Sequence, residues 1–235
     1  MRKVIVIPID ELNITAIIDG NEIMLVDCGY PGSLERIEQA LHQESCSLIG
    51  LRQIIITHHD QDHIGGLRDI VDRYPKVEVL SSAEQIPYIT GQKKSLRLVQ
   101  MEEICKTLPK DQKEENLQYQ KFIASVRSVD KVTKVQPGQI LPFYGGIQIL
   151  DTAGHHPGHI SVYIPSEKTL VAGDALVISE EGLGANPAYT FDMPTAVKSA
   201  KTLLDYDIEK IICYHGGVFS GDVKSALQYM IQRQG

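Results

Sequence analysis

Apolar runs of four or five residues recur along this chain, each broken by a short polar stretch. Residues 4–7, 15–18, 22–26, 53–57 and 78–80 in the first half, and 147–150, 161–164, 169–172 and 210–213 in the second, are rich in Val, Ile and Leu and read as strands. Between several of them the apolar spacing lengthens to three and four. Leu34, Ile37 and Leu41 set one helical stripe, residues 67–74 form a second helix behind a double glycine, residues 195–204 a third, and Val223, Leu227 and Met230 lie along the fourth. Two β-rich halves with flanking helices fit an α/β chain folded as a four-layer αββα sandwich.

Residues 81–129 interrupt that alternation. The segment is rich in Lys, Glu and Gln and helical in pattern, with Leu96, Leu98, Val99, Met101, Ile104 and Leu108 ahead of Pro109. It reads as a helical insert within a single domain spanning 1–235, placed either as a lid or wall of a pocket, or as a solvated helical hairpin or a homodimer contact. Lys93, Lys94 and Arg97 form a small basic cluster within it, more often a solvated face than a site for an anionic substrate.

Composition narrows the class. The 235 residues, 43% of them hydrophobic, can bury a sizeable core, and no low-complexity linker divides them. A formal net charge of −7 without a long basic stripe argues against nucleic acid as a partner, leaving a small molecule. No apolar run is long enough to span a membrane. Residues 4–7 are too short for a signal-sequence core and are soon followed by Asp10-Glu11, so a cytoplasmic location is expected. Cys28, Cys46, Cys105 and Cys213 show no close spacing and are expected to be reduced.

The chemistry concentrates at strand ends. Behind Ile54-Ile55-Ile56 comes Thr57-His58-His59-Asp60-Gln61-Asp62-His63-Ile64-Gly65-Gly66, with five side chains of metal-binding type in six residues. In an extended segment His58, Asp60 and Asp62 project to one side and His59 to the other, and a turn at Gly65-Gly66 would bring His63 back. Imidazole and carboxylate are donors that zinc, iron and manganese accept, and crowded carboxylates call for a cation. Three further strand ends carry the same residue types: the stretch from Asp151 through His155, His156 and Pro157-Gly158-His159; Asp174; and His215 ahead of Gly216-Gly217. One such residue at a strand end usually hydrogen-bonds locally, but four such ends in one chain point to a metal site.

From Asp27 to His215 these motifs resemble the metallo-β-lactamase superfamily, whose pattern runs His-x-His-x-Asp-His, a His in a Pro-Gly-His type turn, a bridging Asp and a final His. The resemblance implies an αββα sandwich with a two-metal centre at one edge. Carried over position by position, His58 and His155 would hold the first divalent metal, Asp62, His63 and His215 the second, and Asp174 would bridge them. It implies a place near the metals for Asp27, although a turn Asp ahead of Gly29 is an equally good reading. His156 and His159 read as turn or supporting residues.

Where the pattern has its second His, this chain has Asp60. Asp60 could serve as an oxygen ligand, His59 could be recruited by a local backbone change, or the first site could be weak or empty. Side-chain alternation favours Asp60. With Asp60 bound, three carboxylates would offset most of the charge of two dications, leaving the centre less electrophilic and more tolerant of Mn2+ or Fe beside the expected Zn2+.

The expected function is a metal-dependent hydrolase that cleaves an ester, thioester or lactone of a small metabolite through a metal-bound hydroxide. Asp62 would be catalytic, holding or accepting the proton as the tetrahedral species collapses. Tyr189 and Tyr214 lie close enough in sequence to ligand loops to act as phenolic donors, although a Tyr at a sheet edge usually packs. The alternatives within the family are an iron-dependent redox enzyme, flavodiiron-like or persulfide dioxygenase-like, and a phosphodiesterase.

Overall fold

A computed structural model describes residues 2–235. The first sheet contains β1 (Arg2–Ile9), β2 (Leu12–Asp19), β3 (Glu22–Val26), β4 (Leu51–Ile55), β5 (Glu78–Ser82) and β6 (Thr133–Val135), hydrogen-bonded in that order. β1 to β3 form an antiparallel meander, and β4, β5 and β6 join in parallel. The second sheet draws on β7 (Ile140–Leu141), β8 (Ile147–Asp151), β9 (Ile160–Ile164), β10 (Thr169–Gly173), β13 (Lys210–Cys213) and β14 (Gly217–Ser220). Its order is β14-β13-β10-β9-β8-β7, antiparallel except for the β10/β13 pair. A separate hairpin, β11 (Val177–Ser179) with β12 (Gly182–Gly184), follows β10.

Successive side chains of a strand point to opposite faces, so a strand buried on both sides feeds two cores. In β3, Met24 and Val26 join Ile17, Ile55, Val171 and Ile212 between the sheets, whereas Ile23 and Leu25 belong to the outer core. There they meet Leu34, Ile37 and Leu41 of α1 (Leu34–Gln43), the predicted stripe. Leu170, Ala172 and Ile211 face outward on the second sheet. They pack beneath Ala196, Ala200 and Leu203 of α7 (Met193–Leu203) and Val223, Leu227 and Met230 of α8 (Val223–Gln234). Three apolar layers separate four structural ones, which is the expected αββα sandwich.

The remaining helices are α2 (Gln61–Ile64), α3 (Leu67–Arg73), whose Leu67 and Ile70 join the outer core beside α1, α4 (Ile86–Ile89), α5 (Leu96–Thr107) and α6 (Lys110–Ser125). The insert differs from its sequence reading in two respects. Ser81 and Ser82 still belong to β5, so the helical part starts later than residue 81. In α5 the buried positions are Arg97 and Leu98, while Val99 and Ile104 are exposed, so the apolar pattern there does not mark the inward face. The short strands β6, β7, β11, β12 and β14 carry too few residues for a periodicity to show in sequence. Among the described residues no helix is long and apolar enough to cross a membrane, and the four cysteines are unpaired.

Both sheets present the C-terminal ends of β4, β8, β10 and β13 at one edge. A short bridge joins the sheets there, with Leu12 paired to His215 and the Asn13 amide donating to the Tyr214 carbonyl at 2.9 Å.

Candidate metal centre

The loop after β4 is held before it begins to turn. Asp27, at the end of β3, accepts from the Thr57 amide and the Thr57 hydroxyl, both at 2.8 Å. Asp60 then opens α2, its carbonyl accepting from the His63 amide at 2.9 Å. One helical turn places Asp62 and His63, and the anticipated turn at Gly65-Gly66 is not what brings His63 back. Those glycines have ordinary helical φ angles of −58° and −83°. Their role is close packing: a Cβ on Gly65 would lie 2.4 Å from Pro31, and one on Gly66 2.4 Å from the Cys28 carbonyl oxygen.

Ligand-type atoms from four strand ends converge at this edge. His58 Nε2 and His155 Nε2 lie 3.7 and 3.6 Å from Asp60 Oδ2, and His155 Nε2 is 3.6 Å from Asp174 Oδ2. On the other side of Asp174, His63 Nε2 is 3.4 Å from Oδ1, and His215 Nε2 is 3.6 Å from Oδ2. Asp62 Oδ2 completes that group, 3.6 Å from His63 Nε2 and 3.1 Å from His215 Nε2. Asp174 thus faces both groups.

Whether these residues suit cations can be judged from hydrogen bonding. His58 Nε2, His63 Nε2, His155 Nε2 and Asp174 Oδ1 are buried with no hydrogen-bond partner. Buried polar atoms are normally satisfied, so four orphans aimed at one another mark a place for something that accepts lone pairs. Donors about 2.0–2.2 Å from a tetrahedral cation stand roughly 3.3–3.6 Å apart, close to the spacings found. The donor set fits two divalent ions.

Residues beneath the ligands hold their rings. His63 Nδ1 is 2.8 Å from Asp27 Oδ2, and His159 bridges the Thr152 hydroxyl and the Asp174 amide, at 2.8 and 3.2 Å. Asp27 is therefore more than a turn residue, and His159 supports the ligand loops without facing the cluster. Tyr214 lies buried against His63, its hydroxyl accepting from the Gly29 amide and donating to the Asp62 carbonyl. That hydroxyl fixes the loop and has no free donor for a substrate.

His59 points away, as alternation predicts. Its Nδ1 meets Gln85 Oε1 at 2.6 Å, its Nε2 accepts from the Leu96 amide at 3.1 Å, and its ring stacks on Tyr88. Burial, and then His156 nearby, push its pKa down to about 4, consistent with a neutral ring using one nitrogen as donor and the other as acceptor. Recruiting His59 would break both bonds.

Asp60 faces the cluster but is not alone. Arg97 of α5 donates to Asp60 Oδ2 through Nη2 at 2.8 Å and Nε at 3.1 Å, and His156 Nε2 meets Oδ1 at 2.9 Å. The basic cluster read from the sequence as a solvated face is split: Lys94 pairs with Glu102 outside, whereas Arg97 is 1% exposed. Nothing in the pattern around Arg97 distinguishes it from Lys93 and Lys94; only its position one residue into a helix facing Asp60 does.

Electrostatics divide the rings. Burial holds His58 well below the ordinary imidazole range and His63 and His155 repel its charge further, leaving a neutral donor. Burial opposes charge on His63 as well, but Asp27, Asp174 and Asp62 together override it and hold that ring well above the usual range. In Asp60 burial works against the carboxylate, and His156, His155 and His58 outweigh it.

The cluster forms the floor of a cleft of about 340 Å³ whose walls include Tyr30, Gln61, Tyr119, Asn186 and Tyr189. Tyr119 accepts from Gln61 Nε2 at 2.9 Å, and burial and then the nearby Asp60 and Asp62 push its pKa up to about 12, so its own O–H stays available. Tyr30, Tyr119 and Gln61 were not singled out from sequence, where an isolated Tyr or Gln carries no mark of what it faces.

A four-layer sandwich with ligand-type side chains gathered from the loops at one sheet edge defines a class of metal-dependent hydrolases. The chain belongs to the metallo-beta-lactamase superfamily, whose family model matches residues 10–215, and it is an enzyme of that superfamily. Across 219 residues it is 30% identical to "Probable metallo-hydrolase YflN" of Bacillus subtilis strain 168, covering 86% of this chain and 78% of that protein. Over 80 residues, 31% of each protein, it is 36% identical to a hydroxyacylglutathione hydrolase of Vibrio cholerae. A metallo-beta-lactamase family protein from Thermus thermophilus shares the fold at a TM-score of 0.74 and 20% identity, covering 99% of this chain and 78% of that one.

Proposed function

We propose that this chain hydrolyses an uncharged ester, thioester or lactone of a small metabolite at two divalent cations, zinc being the first choice. The observation that carries this is the set of buried, partnerless nitrogen and oxygen atoms of His58, His63, His155 and Asp174, of which His155 and Asp174 line a cleft sized for a small molecule. His58, Asp60 and His155 would hold one cation, Asp62, His63 and His215 the other, with Asp174 between them. Bound there, the cations supply a water acidic enough to act as a nucleophile near neutral pH and polarise the scissile carbonyl.

The protein's own groups account for the rest. Asp62, ordered by Tyr214 through its backbone and by His215 through its side chain, would hold a proton for the leaving group. The free O–H of Tyr119 and the Asn186 amide offer neutral hydrogen bonds to the substrate. Apart from histidines, Arg97 is the one cationic side chain lining the cleft among the described residues, and Asp60 already pairs with it. Away from the cations, an anionic tail would meet Glu11 and no free cationic side chain, which favours substrates with a neutral tail. Likeness to a hydroxyacylglutathione hydrolase over a third of the chain supports hydrolysis as the reaction class.

Elemental analysis of protein purified without added metal, run beside matched neutral and carboxylated esters, thioesters, lactones and phosphodiesters, tests the reading. About two zinc ions per chain with turnover of a neutral acyl substrate is the expected result. Iron with no hydrolysis, or preference for a phosphodiester, would overturn it.

A further inference from the structure

We infer that Asp60, Arg97 and His156 act as one unit that stands in for a neutral imidazole at the first cation position, with Arg97 cancelling the charge of the carboxylate. The inference rests on the metal-centre reading above. An ionised carboxylate offers about four acceptor positions; Arg97 takes the two on Oδ2 and His156 one on Oδ1, which leaves one position on Oδ1 for a further bond. Asp60 Oδ2, the oxygen nearest His58 Nε2 and His155 Nε2, is the one Arg97 holds. A guanidinium on a carboxylate cancels its charge, so the set of His58, His155 and Asp60 with Arg97 carries the net charge of three neutral imidazoles. The expectation that three carboxylates weaken the centre's electrophilicity is corrected accordingly: only Asp62 and Asp174 contribute uncancelled charge.

The guanidinium is built in, not adventitious. Its Nη1 donates to Gln100 Oε1 at 2.8 Å and its Nη2 also donates to the Tyr189 carbonyl at 2.9 Å. The rings of Phe191 and Tyr189 lie 4.8 and 5.5 Å from its central carbon. Arg97 thereby ties together the ligand loop, the insert and the segment that carries Tyr189. His156 packs its ring on Phe191 at 4.6 Å from the opposite side of Asp60, closing the unit.

Each single charge change should therefore move cation affinity in an opposite direction. Zinc and manganese affinities are measured by chelator competition, with metal content by elemental analysis, on wild type, D60H, R97Q, R97K and D60H/R97Q, each checked for folding by circular dichroism. D60H leaves a bare guanidinium facing the cation and should weaken the first site by at least about tenfold, whereas R97Q frees the carboxylate charge and should tighten it by a similar factor. R97K, which keeps the charge, should track wild type, and D60H/R97Q should recover what D60H loses. A D60H protein that binds as tightly as wild type, or an R97Q protein that is unchanged or weaker, would overturn the inference. Should D60H fail to fold, R97Q against R97K decides alone. A wild-type chain that takes up no cation overturns the metal-centre reading and this inference with it; two cations with a double variant as weak as D60H overturn only the inference.

Discussion

Asp27 sits in the left-handed region at φ 63°, a conformation that costs a non-glycine residue energy, and its side chain shows what offsets that cost. Fully buried, it takes hydrogen bonds from the Thr57 amide and hydroxyl and holds His63 Nδ1, so it fixes both the start of the ligand loop and the tilt of one ring. Asp27→Ala should lower cation affinity about 10–100-fold, the usual cost of losing a partner that orients a ligand, read by zinc competition at a temperature where the variant stays folded. Asp62→Ala should reduce kcat by on the order of 10²–10⁴-fold with an unchanged circular dichroism spectrum. An active, folded D62A protein would refute the role given to that carboxylate. At this scale the alternation rule separates His59 from His58 and Asp60 in the sequence, because it follows from backbone geometry alone. The partners of Asp60 do not show, since Arg97 is 37 residues away and His156 96 residues away.

The insert is where an element's sequence misleads most. α5 alternates apolar and charged residues without a clear inward face, because its burial is decided by one arginine meeting one carboxylate and not by an apolar stripe. Excising the whole insert would remove a wall of the cleft and also strip Asp60 of Arg97, so metal content and substrate preference would change together. A milder change separates the two effects. Tyr119→Phe on α6 removes the acceptor of Gln61 and a donor facing the cleft, and should raise KM by about two- to tenfold while leaving metal content unchanged. Altered metal content in Y119F would show that the insert acts through the ligands instead. By contrast, α1 and α8 are legible from sequence, since their buried residues Leu34, Ile37, Leu41 and Val223, Leu227, Met230 face single apolar layers at helical spacing.

For the molecule as a whole, the centre couples the two sheets. Asp27 and the β4 loop belong to the first sheet, His155, Asp174 and His215 to the second, and the bridge at Leu12 and His215 joins them. Cations bound between the sheets should therefore stabilise the entire fold. Chelation with EDTA is expected to lower Tm by on the order of 10 °C, as loss of a ligand at about a thousand times its Kd removes roughly 4 kcal/mol. A melting temperature indifferent to chelation would place the cations outside the cooperative unit. The longer strands, the helices α1, α7 and α8 and the residue types of the centre were determined by the sequence itself, because side-chain periodicity and ligand chemistry are local properties. The pairing of Arg97 and His156 with Asp60, the burial of Arg97 and the gathering of Tyr30, Tyr119 and Asn186 around the cleft were decided only by tertiary structure. Each depends on which distant segment a side chain meets, and no spacing along the chain records that distance.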